Sequence, residues 1–246
     1  MTAQDLLRYA VEHGISHIQF GDNLPLHLCS ANELSDIASF AQTESLTIEV
    51  GMKGLTEANV ETYIQVAAQL KSPFLRVVVD DENYHPATEE IIRLIKTLIP
   101  RLEENNLVLA IENHDRFSSR ELETIITTTD PSVVGICLDT ANSYGALEGY
   151  RETVSVLAPY TVNLHLKDIS IERVESKMGF VIRGEEAGKG MLDIPWILDQ
   201  VRYTLRCKSV TLELWSSFTE SLEQTIANEE QKVSNSIKYL KHLLHE

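Results

Sequence analysis

The sequence predicts an α/β fold of the TIM-barrel type, a (β/α)8 scaffold read without its first strand, so that seven parallel strands are visible. Three observations predict it. Short β-like runs alternate with longer amphipathic runs along the whole chain, a pattern of βαβ units and a parallel sheet. The 246 residues sit close to the roughly 250 of a typical barrel. No low-complexity linker divides the chain, so residues 1–246 form one domain.

The chain opens on a helix. Residues 2–13 place Leu6, Leu7, Tyr9, Ala10 and Val11 at helical spacing, and Gly14 can end it. Strands follow near 15–20 (ISHIQF), 46–50 (LTIEV), 74–79 (FLRVVV), 107–112 (LVLAIE), 134–139 (VGICLD), 161–166 (TVNLHL) and 209–214 (SVTLEL). Helices are expected near 31–43, 56–70, 87–105, 118–128, 148–158, 193–205 and 219–244. Ser30 with Glu33 three residues on is a capping-box pattern, and Asp130-Pro131 punctuates the approach to the fifth strand. A closed eightfold barrel needs one more strand before the first helix. The expectation is therefore either a start downstream of the true first strand or an open barrel, with its seam between the strands at 15–20 and 209–214.

Four polar residues end apolar runs: Glu112, Asp139, His165 and Glu213. In a parallel barrel the C-terminal strand ends carry the chemistry, so all four should converge at one mouth. Side chains alternate along a strand. Ala110, Cys137, Asn163 and Thr211 should then also point inward, while Ile111, Leu138, Leu164 and Leu212 pack outward on helices. Three carboxylates and one imidazole suit a single divalent ion, Mn²⁺, Co²⁺, Mg²⁺ or Zn²⁺. With no Cys among them, a closed structural zinc site does not fit.

Composition excludes other classes. The net charge is −16, with 21 Lys and Arg against 37 Asp and Glu, and no basic stripe offers itself to a phosphate backbone. No apolar run reaches membrane-spanning length and no signal-peptide core is visible. Cys29, Cys137 and Cys207 are odd in number and far apart, which fits a reduced, cytoplasmic protein. A small-molecule partner is expected, without nucleic acid or membrane; a homo-oligomer is compatible.

Glu112-Asn113, the run 137–142 (CLDTAN), the run 165–168 (HLKD) and Leu212-Glu213-Leu214 together resemble the xylose-isomerase-like sugar phosphate isomerase/epimerase barrels, from about residue 10 to the end. The resemblance implies a divalent metal on Glu112, Asp139, His165 and Glu213. It also implies acid–base roles for Glu112 and Glu213, and a missing first strand that carries no ligand. Segments 22–27, 111–117, 142–149 and 178–193 are similar to a narrower branch, the 3-oxo-isoapionate decarboxylases, which implies loss of CO2 from a 3-oxo sugar acid. The DNA-repair endonuclease IV of the same superfamily is disfavoured by the missing extra histidines and by the acidic surface.

Other residues carry alternatives. His114 is read as a proton-transfer or substrate residue, or as a loop hydrogen bond. Lys167 should point inward and either stabilise an enolate oxygen or pair with Asp139 or Glu213. Arg183, in a glycine-rich loop at 179–190, is the candidate anchor for an anionic substrate, or a solvated arginine. Asn142 and Gln19 belong near the mouth as substrate-binding candidates; Asp22, Asn23, His27 and Arg76 are further pocket candidates. Glu49 is expected to pair with Arg76. Trp196 and Trp215 are read as packing residues, with Trp215 near enough to Glu213 to wall a sugar site.

The resulting expectation is a metal-dependent sugar isomerase or epimerase. Its alternatives are a 3-oxo sugar acid decarboxylase, which shares the enolate chemistry, and an inactive barrel used as a binding module.

Overall fold

A computed structural model describes residues 2–244. Its helices are α1 (Ala3–Glu12), α2 (Ala31–Glu44), α3 (Glu57–Leu70), α4 (Thr88–Glu104), α5 (Ser119–Thr128), α6 (Tyr150–Leu157), α7 (Ile194–Arg202) and α8 (Leu222–Leu244). The strands are β1 (His17–Phe20), β2 (Thr47–Lys53), β3 (Phe74–Val78), β4 (Val108–Glu112), β5 (Val134–Asp139), β6 (Thr161–Leu166), β7 (Asp168–Arg173), β8 (Phe180–Glu185) and β9 (Ser209–Leu212). Local chemistry sets many of these boundaries. Thr2 with Asp5, Ser30 with Glu33, and Ser118 with Glu121 form capping boxes at α1, α2 and α5, each satisfying amides that a helix start leaves unpaired. Gly14, at φ +60, turns the chain out of α1 in the left-handed conformation that glycine adopts without strain.

Seven strands pair in parallel in the order β1-β2-β3-β4-β5-β6-β9 and curl into a nearly closed barrel. Among the described residues no ladder joins β1 to β9. A cleft of about 800 Å³ lies along that seam, lined on its apolar side by Leu6, Tyr9, Leu198, Val201, Ile237 and Leu240 of α1, α7 and α8. Outward-facing Ile111, Leu138 and Leu164 are fully buried against the helix layer; burying such a side chain contributes about 1.5–3 kcal/mol. Inside the barrel, Phe74, Ala110, Cys137 and Val162 pack as a separate floor with Val108. A bulge between β5 and β6 at Ile136/Cys137 coincides with the inward position of Val162. Gly135 makes room for it, since a Cβ there would lie 2.8 Å from a Val162 methyl.

The stretch after β6 departs from expectation. Residues 168–185 form an antiparallel hairpin, β7 with β8, in register from Asp168↔Glu185 to Arg173↔Phe180, so within the loop expected at 179–190 residues 180–185 are strand, while 186–190 lie outside any strand or helix. Only Lys167 separates β6 from β7, so the chain gives no turn signal there. The hairpin's own turn uses Lys177 at φ +58, where a glycine or asparagine would have announced it. Asp168 anchors the return of this excursion. Its buried carboxylate accepts backbone N–H groups from Ile169, Gly188, Gly190 and Leu192 at 2.9–3.2 Å, and Gly190 approaches it so closely that a Cβ would overlap the carboxylate.

Candidate active site

Strand register places the four residues on three successive levels. Glu112 is level with Cys137, Asp139 with His165, and His165 with Thr211. Glu213 therefore lies one level above His165 and Glu112 one level below Asp139, a stagger that comes from strand tilt in a barrel. The side chains nevertheless meet. His165 Nδ1 lies 2.9 Å from a Glu213 carboxylate oxygen and 3.5 Å from Oε2 of Glu112. Single donor atoms of Asp139, His165 and Glu213 fall within 4.8 Å of one another.

Each residue is held from behind. Glu112 receives Arg76 Nε on Oε2 at 2.5 Å and Asn142 Nδ2 on Oε1 at 2.9 Å. Asp139 Oδ1 accepts the backbone amides of Ala141 and Asn142, both at 2.8 Å. The Asn113 amide brackets the Asp139 backbone, accepting its N–H and donating to its carbonyl. His165 Nε2 meets Oε1 of Gln19 at 2.6 Å. Lys167 Nζ stands 2.9 Å from Asp139 Oδ2, 3.2 Å from Glu213 Oε1 and 3.1 Å from Asn142 Oδ1. Its approach to Asp139 has ion-pair distance but not hydrogen-bond angles, so Asp139 Oδ2 remains without a hydrogen bond, as does His165 Nδ1.

The electrostatics follow from this packing. Burial works against the charge of Glu112, but the charges of Arg76 and His165 outweigh it and hold its pKa below the usual carboxylate range. Burial likewise opposes ionised Glu213, yet the His165 imidazole at 2.9 Å and the Lys167 ammonium at 3.2 Å outweigh it and pull it down to about 2. Asp139 is pushed upward by burial despite Lys167. Lys167 loses by burial but gains more from Asp139 and Glu213, and its pKa rises. Burial drives the Cys137 thiol well above its ordinary value. Its Sγ lies 3.1 Å from Asn163 Oδ1, so it stays a thiol beneath the site.

These residues fit a divalent cation. Two buried acceptor atoms, Asp139 Oδ2 and His165 Nδ1, lack hydrogen bonds and sit beside the two glutamates. The donors are oxygen and imidazole nitrogen, the set that Mg²⁺, Mn²⁺, Co²⁺ and Zn²⁺ accept. Only Glu213, with 41% of its side chain exposed, opens the group to the mouth.

Residues 7–243 match the xylose isomerase-like TIM barrel family. The chain belongs to that family. Among the proteins it is similar to is a 3-oxo-isoapionate decarboxylase of Pectobacterium atrosepticum, 28% identical over 235 residues that cover 96% of this chain and 86% of the relative. Among solved structures, a D-psicose 3-epimerase determined in the presence of D-fructose superposes with a TM-score of 0.76 at 15% identity, covering 100% of this chain and 95% of that one. A xylose isomerase-like TIM barrel protein of Mycobacterium smegmatis, in complex with magnesium, gives 0.69 at 16% identity, covering 97% and 90%. Within this xylose isomerase-like barrel, other expected site residues fall in different places. Gln19 and Asn142 join the cluster. His114 instead pairs with Asp115 at 3.3 Å on the open loop after β4. Arg183 lies on β8 and pairs with Glu172 at 3.1 Å, half-exposed. Trp215 is half-exposed, and its backbone crosses the hairpin at Gly184, which has no room for a side chain.

The expected Glu49–Arg76 pair is not formed. Arg76 is level with Gly51 on one side and Ala110 on the other, so Glu49 lies one level below it and Glu112 one above. The guanidinium reaches up to Glu112, and Glu49 binds Gln19 instead, at 3.2 Å. Sequence reasoning missed Asn113 and Asp168 as positioning residues. Each sits beside a candidate ligand or follows His165 closely in the chain, and that adjacency was the available signal.

Proposed function

We propose that the protein is a divalent-metal-dependent carbon–carbon lyase that releases CO2 from a 3-oxo sugar acid. The observation that carries this is the condition of Glu112. Both of its oxygens are engaged, by Arg76 and Asn142, and it is 2% exposed. A carboxylate so held is poorly placed to remove a proton from carbon. Lys167, by contrast, is an ammonium between two carboxylates; even with its pKa raised it is a far stronger acid than the C–H bond formed when an enolate carbon is protonated. Full-length similarity to a decarboxylase supports the same reading.

Glu112, Asp139, His165 and Glu213 would hold the cation. When bound it would act as a Lewis acid toward developing negative charge on a substrate oxygen. In a 3-oxo acid the bond between the carboxylate carbon and C2 breaks, and its electron pair moves onto the C2–C3–O enolate. Lys167 then gives its proton to C2 and recovers one from water. The charge balance suits an acid. Three carboxylates against Arg76 and Lys167 leave one negative charge, and a divalent cation would turn this into one positive charge.

The second reading, isomerisation or epimerisation of a sugar, draws on the exposed Glu213 as the group able to reach a C–H bond. A carboxylate with a pKa of about 2 is a weak base for that step. The test is a screen of 3-oxo sugar acids and free ketoses in D2O with Mn²⁺ or Mg²⁺, following CO2 and deuterium by NMR. CO2 release with one deuteron at the former C2 supports decarboxylation. Exchange and interconversion of ketoses without CO2 release would overturn it in favour of the second reading.

A further inference from the structure

Gln19 is spent on other groups. Its Oε1 faces His165 Nε2 at 2.6 Å. Its amide nitrogen gives one hydrogen to Glu49 Oε2 at 3.2 Å and one to Asn163 Oδ1 at 3.1 Å. A primary amide has two donors and one carbonyl, so Gln19 keeps no N–H for a substrate. Asn163 is itself fixed: its Nδ2 donates to Ser209 Oγ and Thr211 Oγ1, which leaves only its oxygen to face Gln19. Both neighbours of the Gln19 nitrogen are therefore acceptors, and a flipped amide would set oxygen against oxygen at two contacts.

We propose that Glu49 and Asn163 lock the Gln19 amide so that its carbonyl takes Nε2–H of His165, leaving Nδ1 as the lone-pair donor toward the cation. Gln19 is thus a positioning residue, with fully buried Glu49 behind it. The inference rests on the metal reading above for its purpose, but not for its geometry. Neutral imidazole carries one proton, and the partner of one nitrogen decides which atom is free. Glu49 otherwise has no part in the chemistry, and its burial under the site without an Arg partner is accounted for by this role.

The test reads the tautomer directly. In metal-free protein at pH 8, two-bond ¹H–¹⁵N correlations of His165, assigned by their absence in His165→Gln, should show the proton on Nε2. Glu213 and Glu112 face Nδ1 when no cation is bound, so a second proton there is compatible with the lock; an Nε2 without a proton in the wild type overturns the proposal without any variant. In Gln19→Leu the resonances should shift toward a mixture of tautomers, and Mn²⁺ affinity by calorimetry should fall 10–100-fold, the usual effect of losing a group that orients a ligand. Glu49→Leu should give a smaller shift in the same direction and serves if Gln19→Leu does not fold. Unchanged tautomer and affinity in Gln19→Leu would refute the role. Wild-type protein with the Nε2–H tautomer but no Mn²⁺ binding would instead sink the metal reading and leave the lock standing.

Discussion

Gln19 and His165 stand on opposite sides of the open seam, one on an edge strand and one on β6, and are joined by a 2.6 Å hydrogen bond. With Gln19 to Asn163, it ties β1 to the far wall through the barrel interior, where among the described residues no backbone ladder does so. The side-chain clamp therefore serves closure and site at once. Gln19→Ala should destabilise the fold by about 1–3 kcal/mol, because it strands buried acceptors. Chemical denaturation with less than about 0.5 kcal/mol of change would show that the seam does not depend on the clamp.

Arg76 and Glu112 make the tightest buried ion pair of the site. Removing one partner leaves an uncompensated buried charge, which costs about 3–5 kcal/mol. Arg76→Met should unfold at correspondingly lower urea, and Glu112→Gln added to it should recover part of the loss. A double variant no more stable than Arg76→Met would contradict this assignment.

Asp168 should govern the segment that returns from the hairpin. Asp168→Ala frees four backbone amides and should raise hydrogen exchange across residues 186–192, with a loss of about 2–3 kcal/mol. Exchange confined to its wild-type rate would mean the segment is held by other contacts.

The strand positions were legible because apolar runs alternate with amphipathic ones, and Ser30-x-x-Glu33 marked a helix start that the structure reproduces. Alternation also told inward Cys137 and Asn163 from outward Leu138 and Leu164. What was hidden depends on register. Whether Arg76 reaches Glu49 or Glu112 turns on a one-level offset between neighbouring strands, which no single strand encodes. The β7–β8 hairpin was hidden for a local reason: its turn lies at Lys177 rather than at a glycine. Arg183 was therefore placed on a loop over the mouth, while its strand position gives it Glu172 as a partner.

Burial makes the cysteines slow. Cys207 is pushed up to about 11, Cys137 well above its ordinary value, and Cys29 upward, all by desolvation first. Since the thiolate is the reactive form, native protein at pH 8 should react with a disulfide reagent far more slowly than denatured protein, which should yield three equivalents. Rapid stoichiometric reaction of folded protein would contradict the packing.

Acid should weaken the Asp80–Arg116 pair. Burial opposes ionised Asp80, but bonds from Arg116 at 2.6 and 2.9 Å outweigh it, and its pKa is lowered. A depressed folded pKa adds stability above the unfolded value of about 3.9, lost as pH falls through the folded one. Arg116→Ala should thus cost about 0.5–1 kcal/mol at pH 7 and less at pH 2.5. An equal cost at both would assign it to packing over Phe117.

The central claim is that Glu112, Asp139, His165 and Glu213 together hold one divalent cation, and calorimetric titration of Mn²⁺ into metal-free protein tests it most directly. One equivalent per chain should bind, and affinity should fall at least about 100-fold in Asp139→Asn and in His165→Gln, since each removes a ligand. Absence of stoichiometric binding, or binding undiminished in both variants, would contradict it.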